Sequence, residues 1–138
     1  MMPLVQFIDL PRAADGHSVQ VEIGPNSGIP FDVARTYYIF GTKAGVERGF
    51  HAHIALQQMA ICVVGSCRMR LDNGTEKDDV LIESTYQGLL IEPMVWHEMY
   101  DFSPDCVLMV LASDVYDESD YIRDYGRFTA IVQEGVTS

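Results

Sequence analysis

His51 and His53 stand one residue apart in the stretch Arg48-Gly49-Phe50-His51-Ala52-His53. In an extended strand successive side chains alternate faces, so an i, i+2 pair projects to the same side. Two imidazoles aimed into one cavity can hold a metal ion or move protons on a bound substrate, because the ring titrates near neutrality. Spacing alone leaves both open. Of the other two histidines in the chain, His17 follows Gly16 in a turn and belongs on the surface. His97 has a pattern compatible with core, pocket rim or exposure.

The pair can act together only on a scaffold of strands, and the chain supplies many. Short strands are expected at 4–8, 18–23, 34–40, 48–54, 57–64, 67–71, 80–83, 88–93, 96–100 and 106–112. Each is rich in apolar or β-branched residues and is bounded by Gly, Pro, Asn or Asp. In Arg35-Thr36-Tyr37-Tyr38-Ile39, the residues Arg35, Tyr37 and Ile39 share a face. Asp72-Asn73-Gly74-Thr75 is the strongest hairpin signal, and Asn-Gly suits a type I′ turn. Residues 24–30 carry two prolines and two glycines and form a loop. From Tyr116 the period changes, and Asp117 to Tyr125 is expected to form a short helix closing near Gly126. Ten or so short strands with tight turns predict an all-β sandwich or barrel.

Composition narrows the partners. At 138 residues the chain is read as one domain spanning 1–138, large enough for an ordinary core. Twenty acidic against nine basic side chains give a net charge of -11, which disfavours nucleic acid and membrane surfaces. It leaves room for a nucleotide ligand, since a few convergent arginines can outweigh a distant net charge. No apolar run approaches a membrane span, and no basic-then-apolar leader is seen. Three cysteines, an odd number, suggest a cytoplasmic protein with reduced thiols. Cys62 and Cys106 sit in apolar runs and are expected in the core.

His51-Ala52-His53, then Gln58, then Gly65 follow the spacing of the first motif of the cupin superfamily, with glutamine where glutamate is usual. Gly88 to Pro93, continuing to Trp96-His97, stands for the second motif. A finer match runs through Arg48 to His53, Gln57, Leu71 to Gly74, Gly88 to Trp96, Leu111 to Ser113 and Tyr116 to Arg123. Over residues 5 to 128 the chain resembles the nucleotide-sugar 3,4-ketoisomerases, the WxcM-like cupin domain. The resemblance implies a cupin, or jelly-roll, barrel that works as a homodimer. It implies isomerisation of dTDP-4-keto-6-deoxyglucose to a 3-keto sugar on the route to aminodeoxysugars of surface polysaccharides, such as lipopolysaccharide O-antigen or S-layer glycan.

A cupin metal site needs three histidines and a carboxylate. Counting five residues past Pro93 reaches Glu98, with His97 one place early and so expected on the opposite face. Gln58 is a poor ligand. The balance therefore favours an acid/base pair with no metal and no cofactor. His51, His53 and Tyr37 are the catalytic candidates, and the resemblance points to the same three, with His51 as the base at C3 and His53 handling oxygen protons. Tyr37 serves if its strand lies beside the histidine strand. Arg35 and Arg48 are candidates for the diphosphate, Gln57 for a hydroxyl or phosphate, and Trp96 for a flat face under thymine or pyranose. A cupin 3,5-epimerase, a non-catalytic sugar-nucleotide binding cupin and a metal-dependent dioxygenase are the competing readings.

Overall fold

The computed structural model describes residues 3–137. Two five-stranded antiparallel sheets carry the chain. The first runs β1 (Phe7–Asp9), β9 (Gln87–Ile91), β6 (Gln58–Val64), β11 (Val107–Ala112), β4 (Arg35–Phe40). The second runs β12 (Tyr121–Ile122), β5 (Arg48–His53), β10 (Trp96–Tyr100), β7 (Cys67–Asp72), β8 (Lys77–Ile82). A small hairpin, β2 (Arg12–Ala14) with β3 (Val19–Val21), stands apart. From β4 to β12, successive strands are dealt to alternate sheets, except for the β7–β8 hairpin, which is the jelly-roll arrangement.

Alternation explains the packing. Cys62, Met69, Leu71, Ile82, Leu89, Ile91, Leu108 and Val110 face inward from both sheets and form one buried cluster. The three cysteines are free and buried there, with the Cys62 Sγ 3.7 Å from both Cys67 and Cys106. The opposite residues of the first sheet, Met59, Ile61, Leu90 and Leu111, pack under Leu10, Val21, Ile29 and Phe31 of the N-terminal segment. On the second sheet, Ala52, Trp96 and Ile122 lie under Phe128. That phenylalanine belongs to α1 (Tyr125–Thr137).

The C-terminal helix begins where the sequence pattern had it ending. Asp117 caps only a single 3-10 turn, Glu118–Asp120, by accepting from Ser119 N. Tyr121 and Ile122 then pair with His53 and Ala52, because the edge of β5 offers unpaired backbone groups. Asp124 starts the true helix by accepting from Arg127 N at 2.9 Å, and the helix passes through Gly126. The Asn73-Gly74 hairpin is present, but its loop is four residues long. Asp72 pairs with Lys77, Asn73 Oδ1 accepts from Thr75 and Glu76 N, and positive φ occurs at Gly74 and not at Asn73. A type I′ turn needs positive φ at both central residues.

One irregularity sets the phase of β5. His51 pairs with His97, yet Gly49 pairs with Glu98, so the strand holds one extra residue there. Phe50 (φ 61°) and Gly49 (φ 92°) both take left-handed backbone conformations. Strict alternation would put Arg48, three residues before His51, on the opposite face. The bulge cancels that, and Arg48 opposes the buried Met99 across the ladder. A Cβ at Gly49 would lie 2.8 Å from the His97 carbonyl oxygen. Gly49→Ala should therefore cost about 1–3 kcal/mol, read as a lower urea midpoint. Ala at Gly45, where φ is 81° but the space is open, should cost less.

Candidate active site

Three imidazoles meet inside the barrel. His51 and His53 project from β5 as an i, i+2 pair, and His97 joins them from β10. Ring centroids lie 4.9 Å apart for His51 and His53, 4.5 Å for His51 and His97, and 6.0 Å for His53 and His97. His97 thus takes the inward position that counting had given to Glu98. Its ladder partner Leu71 is core, which fixes the parity of β10. Glu98 faces out and accepts from Trp96 Nε1 (2.9 Å) and from Arg70 (3.1 Å).

Tyr37 reaches this cluster from the other sheet. Its strand, β4, is not a hydrogen-bonded neighbour of β5 but lies at the edge of the first sheet. Arg35, Tyr37 and Ile39 share its inner face, as alternation required. Gln58 of β6 is buried and donates from Nε2 to the Tyr37 hydroxyl at 3.1 Å. Tyr121 covers the pair, its ring 4.9 Å from His51 and 4.3 Å from His53. Arg123 stacks over Tyr121 at 4.1 Å.

Two hollows open on either side of Tyr121. One, about 310 Å³, is lined by Arg35, Tyr37, Arg48, His51, Tyr121 and Arg123 and is basic. The other, about 220 Å³, is lined by Arg35 and His53 together with Asp114, Asp117 and Asp120. Arg48 lines the basic hollow, and Arg35 lines both. Tyr121, Arg123 and Asp120 were not singled out, since their segment carried a helical pattern with an apparent structural role.

Gln57 and Trp96 do not join the cluster. Gln57 precedes β6 and reaches out to Glu92 at 3.5 Å; the next residue, Gln58, has the inward parity. Trp96 sits on the outer face of β10, edge-on to Tyr125 at 5.2 Å and beside Phe128. It lines an outer groove of about 550 Å³ with Arg70, Asp72, Lys77, Glu98 and Tyr125. The charged groups there already have partners, Arg70 with Glu47 and Glu98, and Asp72 with Tyr125. The histidine hollows are smaller but hold unspent polar atoms.

Those atoms define the chemistry. Arg35 Nε, His51 Nδ1, both ring nitrogens of His53 and Gln58 Oε1 are buried without a hydrogen-bond partner among the described residues. Leaving such groups unpaired costs free energy, so a built site for a polar ligand is the physical reading. Burial lowers the pKa of all three rings. His51 is lowered chiefly by desolvation. His53 falls to about 4, by desolvation and then by the neighbouring His51, against the opposing pull of Asp120. His97 falls to about 3 for the same first two reasons. Its Nδ1 lies 3.1 Å from the Val95 carbonyl, which can only accept, so Nδ1 carries the hydrogen and Nε2 the lone pair. Desolvation, and then Tyr121, push the Tyr37 phenol up. The site thus offers neutral imidazole acceptors opposite a protonated phenol. The three histidines each offer a ring nitrogen within 4.8 Å of the others, a set that could also hold a divalent cation. Gln58 would supply only an amide oxygen to complete it.

Comparison with known proteins places this geometry. The family model FdtA, WxcM-like C-terminal, matches residues 4–133. This chain belongs to the WxcM-like family. It is 50% identical over 123 residues, 89% of this chain and 88% of the relative, to a TDP-4-oxo-6-deoxy-alpha-D-glucose-3,4-oxoisomerase of Aneurinibacillus thermoaerophilus. A mutant of the 3,4-ketoisomerase QdtA from Thermoanaerobacterium thermosaccharolyticum, solved with TDP-4-keto-6-deoxyglucose, superimposes with TM-score 0.91 at 38% identity, covering 97% of each chain. WlaRA, a TDP-fucose-3,4-ketoisomerase of Campylobacter jejuni, gives TM-score 0.91 at 30% identity over 96% of this chain and 98% of the other. The WxcM-like assignment agrees with the jelly roll found here.

In this WxcM-like chain the buried imidazoles make stability pH-dependent. The unfolded rings titrate near 6.5, and His53 and His97 fall to about 4 and about 3 when folded. Between those limits the unfolded chain binds protons that the folded chain refuses, so stability is full above about pH 6.5 and declines as pH falls. The urea midpoint should drop from pH 7.5 to pH 5. The drop should be smaller in His97→Gln.

Proposed function

We propose that this chain is a sugar-nucleotide 3,4-ketoisomerase acting on dTDP-4-keto-6-deoxy-D-glucose. The observation that carries this is the meeting of three neutral, desolvated imidazoles with a phenol in a cavity rimmed by arginines. The family's named relatives supply the substrate class, through the 3,4-oxoisomerase at 50% identity.

Moving the ketone from C4 to C3 is an internal redox exchange. The C3–H bond breaks, its electron pair forms the C3–C4 double bond of an enediol, and the C4 oxygen takes a proton. The C3 hydroxyl then gives up its proton as C4 receives one. Electrons balance within the sugar, so no cofactor is required. His51, at the boundary of the basic hollow, is the base at C3. His53 exchanges protons with the oxygens. Tyr37 donates to the developing enediolate, and its raised pKa keeps it protonated for that task. Proton transfers of this kind each contribute about 10²- to 10⁴-fold.

The diphosphate fits the basic hollow, where Arg35, Arg48 and Arg123 converge, and not the hollow with three aspartates. Arg123 is at present paired with Glu118 at 2.7 and 2.9 Å, an exposed pair that a diphosphate can compete with. The reaction is metal-independent in this reading, because the residue at the usual carboxylate position is Gln58, a neutral amide and a weak ligand.

The chain works as a homodimer. Tyr38 and Phe40, 63% and 68% exposed, stand together on the outer face of β4, with Val107 and then the exposed Val64 in register across the sheet, an apolar surface suited to a second copy. No helix among the described residues is long and apolar enough to cross a membrane. Its three unpaired thiols suit a reducing compartment, and we place it in the cytoplasm, on a route to deoxyaminosugars of surface glycans.

Incubation with dTDP-4-keto-6-deoxyglucose in D₂O should give a 3-keto product with ring deuterium by NMR. Binding without exchange would instead indicate a non-catalytic module, and inversion at C3 or C5 an epimerase. His51→Asn should lower kcat by at least about 10², and near-normal turnover would remove His51 from its role. Exhaustive chelation should leave the rate unchanged. A Tyr38→Ser/Phe40→Ser variant should elute as a monomer in light-scattering chromatography, where wild type elutes as a dimer.

A further inference from the structure

Asp120 lies 67 positions beyond His53 in the chain yet holds the backbone on which that histidine is mounted. Its Oδ1 accepts from Ala55 N at 2.9 Å and its Oδ2 from Leu56 N at 3.1 Å. Its main-chain carbonyl accepts from Ile54 N at 2.9 Å, and its own N–H donates to Asp117 at 3.0 Å. Three consecutive amides following His53 are thus bound by one residue. The same Oδ2 lies 3.4 Å from His53 Nδ1, close enough for attraction although outside well-aligned hydrogen-bond geometry.

His53 is 2% exposed, and among the described residues neither ring nitrogen has a hydrogen-bond partner. The groups around it are His51 and His97, Tyr121 of β12, Arg35 of β4, and Asp120. Arg35 can only donate, and among these groups the carboxylate is the acceptor on the Nδ1 side. We propose that Asp120 is a positioning residue for the isomerisation: it fixes His53 as the Nδ1–H tautomer, so that Nε2 presents its lone pair to the substrate. This rests on the isomerase reading above.

The assignment accounts for how a buried ring can take a proton at all. When Nε2 accepts the proton of a sugar hydroxyl, the O–H bond breaks, an N–H bond forms and the ring becomes an imidazolium. The positive charge then lies beside the Asp120 carboxylate, and the 3.4 Å gap closes into a charge-assisted hydrogen bond. Return of the proton to the neighbouring oxygen restores the neutral ring with no net consumption. The carboxylate does not itself take the proton. Its hold on Ala55 and Leu56 prevents the ring from following it out of register.

The test uses full-length protein labelled with ¹⁵N-histidine, with His53 assigned by its loss in His53→Gln. Long-range ¹H–¹⁵N spectra at neutral pH should show wild-type His53 as the Nδ1–H tautomer; an Nε2–H tautomer would overturn the proposal without recourse to any variant. Asp120→Asn, which can place an NH₂ group against Nδ1, should shift the tautomer. It should lower kcat by about 10- to 100-fold, as for other partners that orient a histidine, with KM within about twofold. Asp120→Glu should recover part of both. A variant with wild-type kcat, or one that loses melting temperature while the tautomer stays unchanged, would reduce Asp120 to a structural staple. Absence of isomerisation by the wild-type protein would sink the functional reading, while the tautomer would still decide where Asp120 points.

Discussion

Three imidazoles in ring contact inside a barrel can coexist only while they are neutral. A proton on His51 would sit 4.5 Å, ring to ring, from His97 and 4.9 Å from His53, and a second proton would meet the first in a medium of low polarity. Desolvation already disfavours the first. Much else in the site follows from this. The arginines line the hollows beside the cluster, and the Asp120 carboxylate approaches a single ring. Rings that would be partly protonated near neutrality in water are held neutral and ready to accept. Their unpaired nitrogens are the cost to stability that this readiness imposes.

The scaffold brings these rings together by breaking its own regularity once. A strand of pure alternation can present Arg48 or His51 to the cavity, but not both. The extra residue at Gly49-Phe50 changes parity between them, so one strand supplies a rim cation and two inner imidazoles. Gly49 is required because the backbone of β10 passes where a side chain would stand. Placing Tyr37 in the other sheet has a related effect. Phenol and imidazoles come from elements that do not share a ladder, and so they confront one another across the cavity.

Much of this was legible from period-two patterning. The faces of Arg35, Tyr37, His51 and His53, an all-β sandwich or barrel and most strand positions follow from alternation and turn chemistry, while the jelly roll itself came from the family resemblance. What escaped had particular causes. His97 was misplaced by counting through a turn, where Met94 takes a left-handed conformation (φ 60°) and parity is not carried over. Trp96 suggested a stacking platform by its type, but being next to the inward His97 sends it outward, under the C-terminal helix. Gln57 and Gln58 were adjacent candidates, and only pairing with Ile91 decides which one faces in. Tyr121 and Asp120 lay in a segment with helical spacing, and their site role arises from tertiary pairing with His53 that no local pattern encodes.

Gln58 shows why one glutamine matters more than its neutrality as a ligand suggests. By donating to the Tyr37 oxygen it occupies a lone pair and leaves the phenolic hydrogen free for another acceptor. A carboxylate in its place would instead accept that hydrogen and turn the phenol away from a substrate oxygen. Desolvation raises the Tyr37 pKa, so the phenol keeps the proton that the amide leaves exposed. The amide therefore makes Tyr37 a donor, just as burial makes the histidines acceptors. An enediol needs both, because one oxygen must gain a proton while its neighbour loses one. Replacing Gln58 with glutamate would reverse the polarity of one wall while leaving its shape almost unchanged.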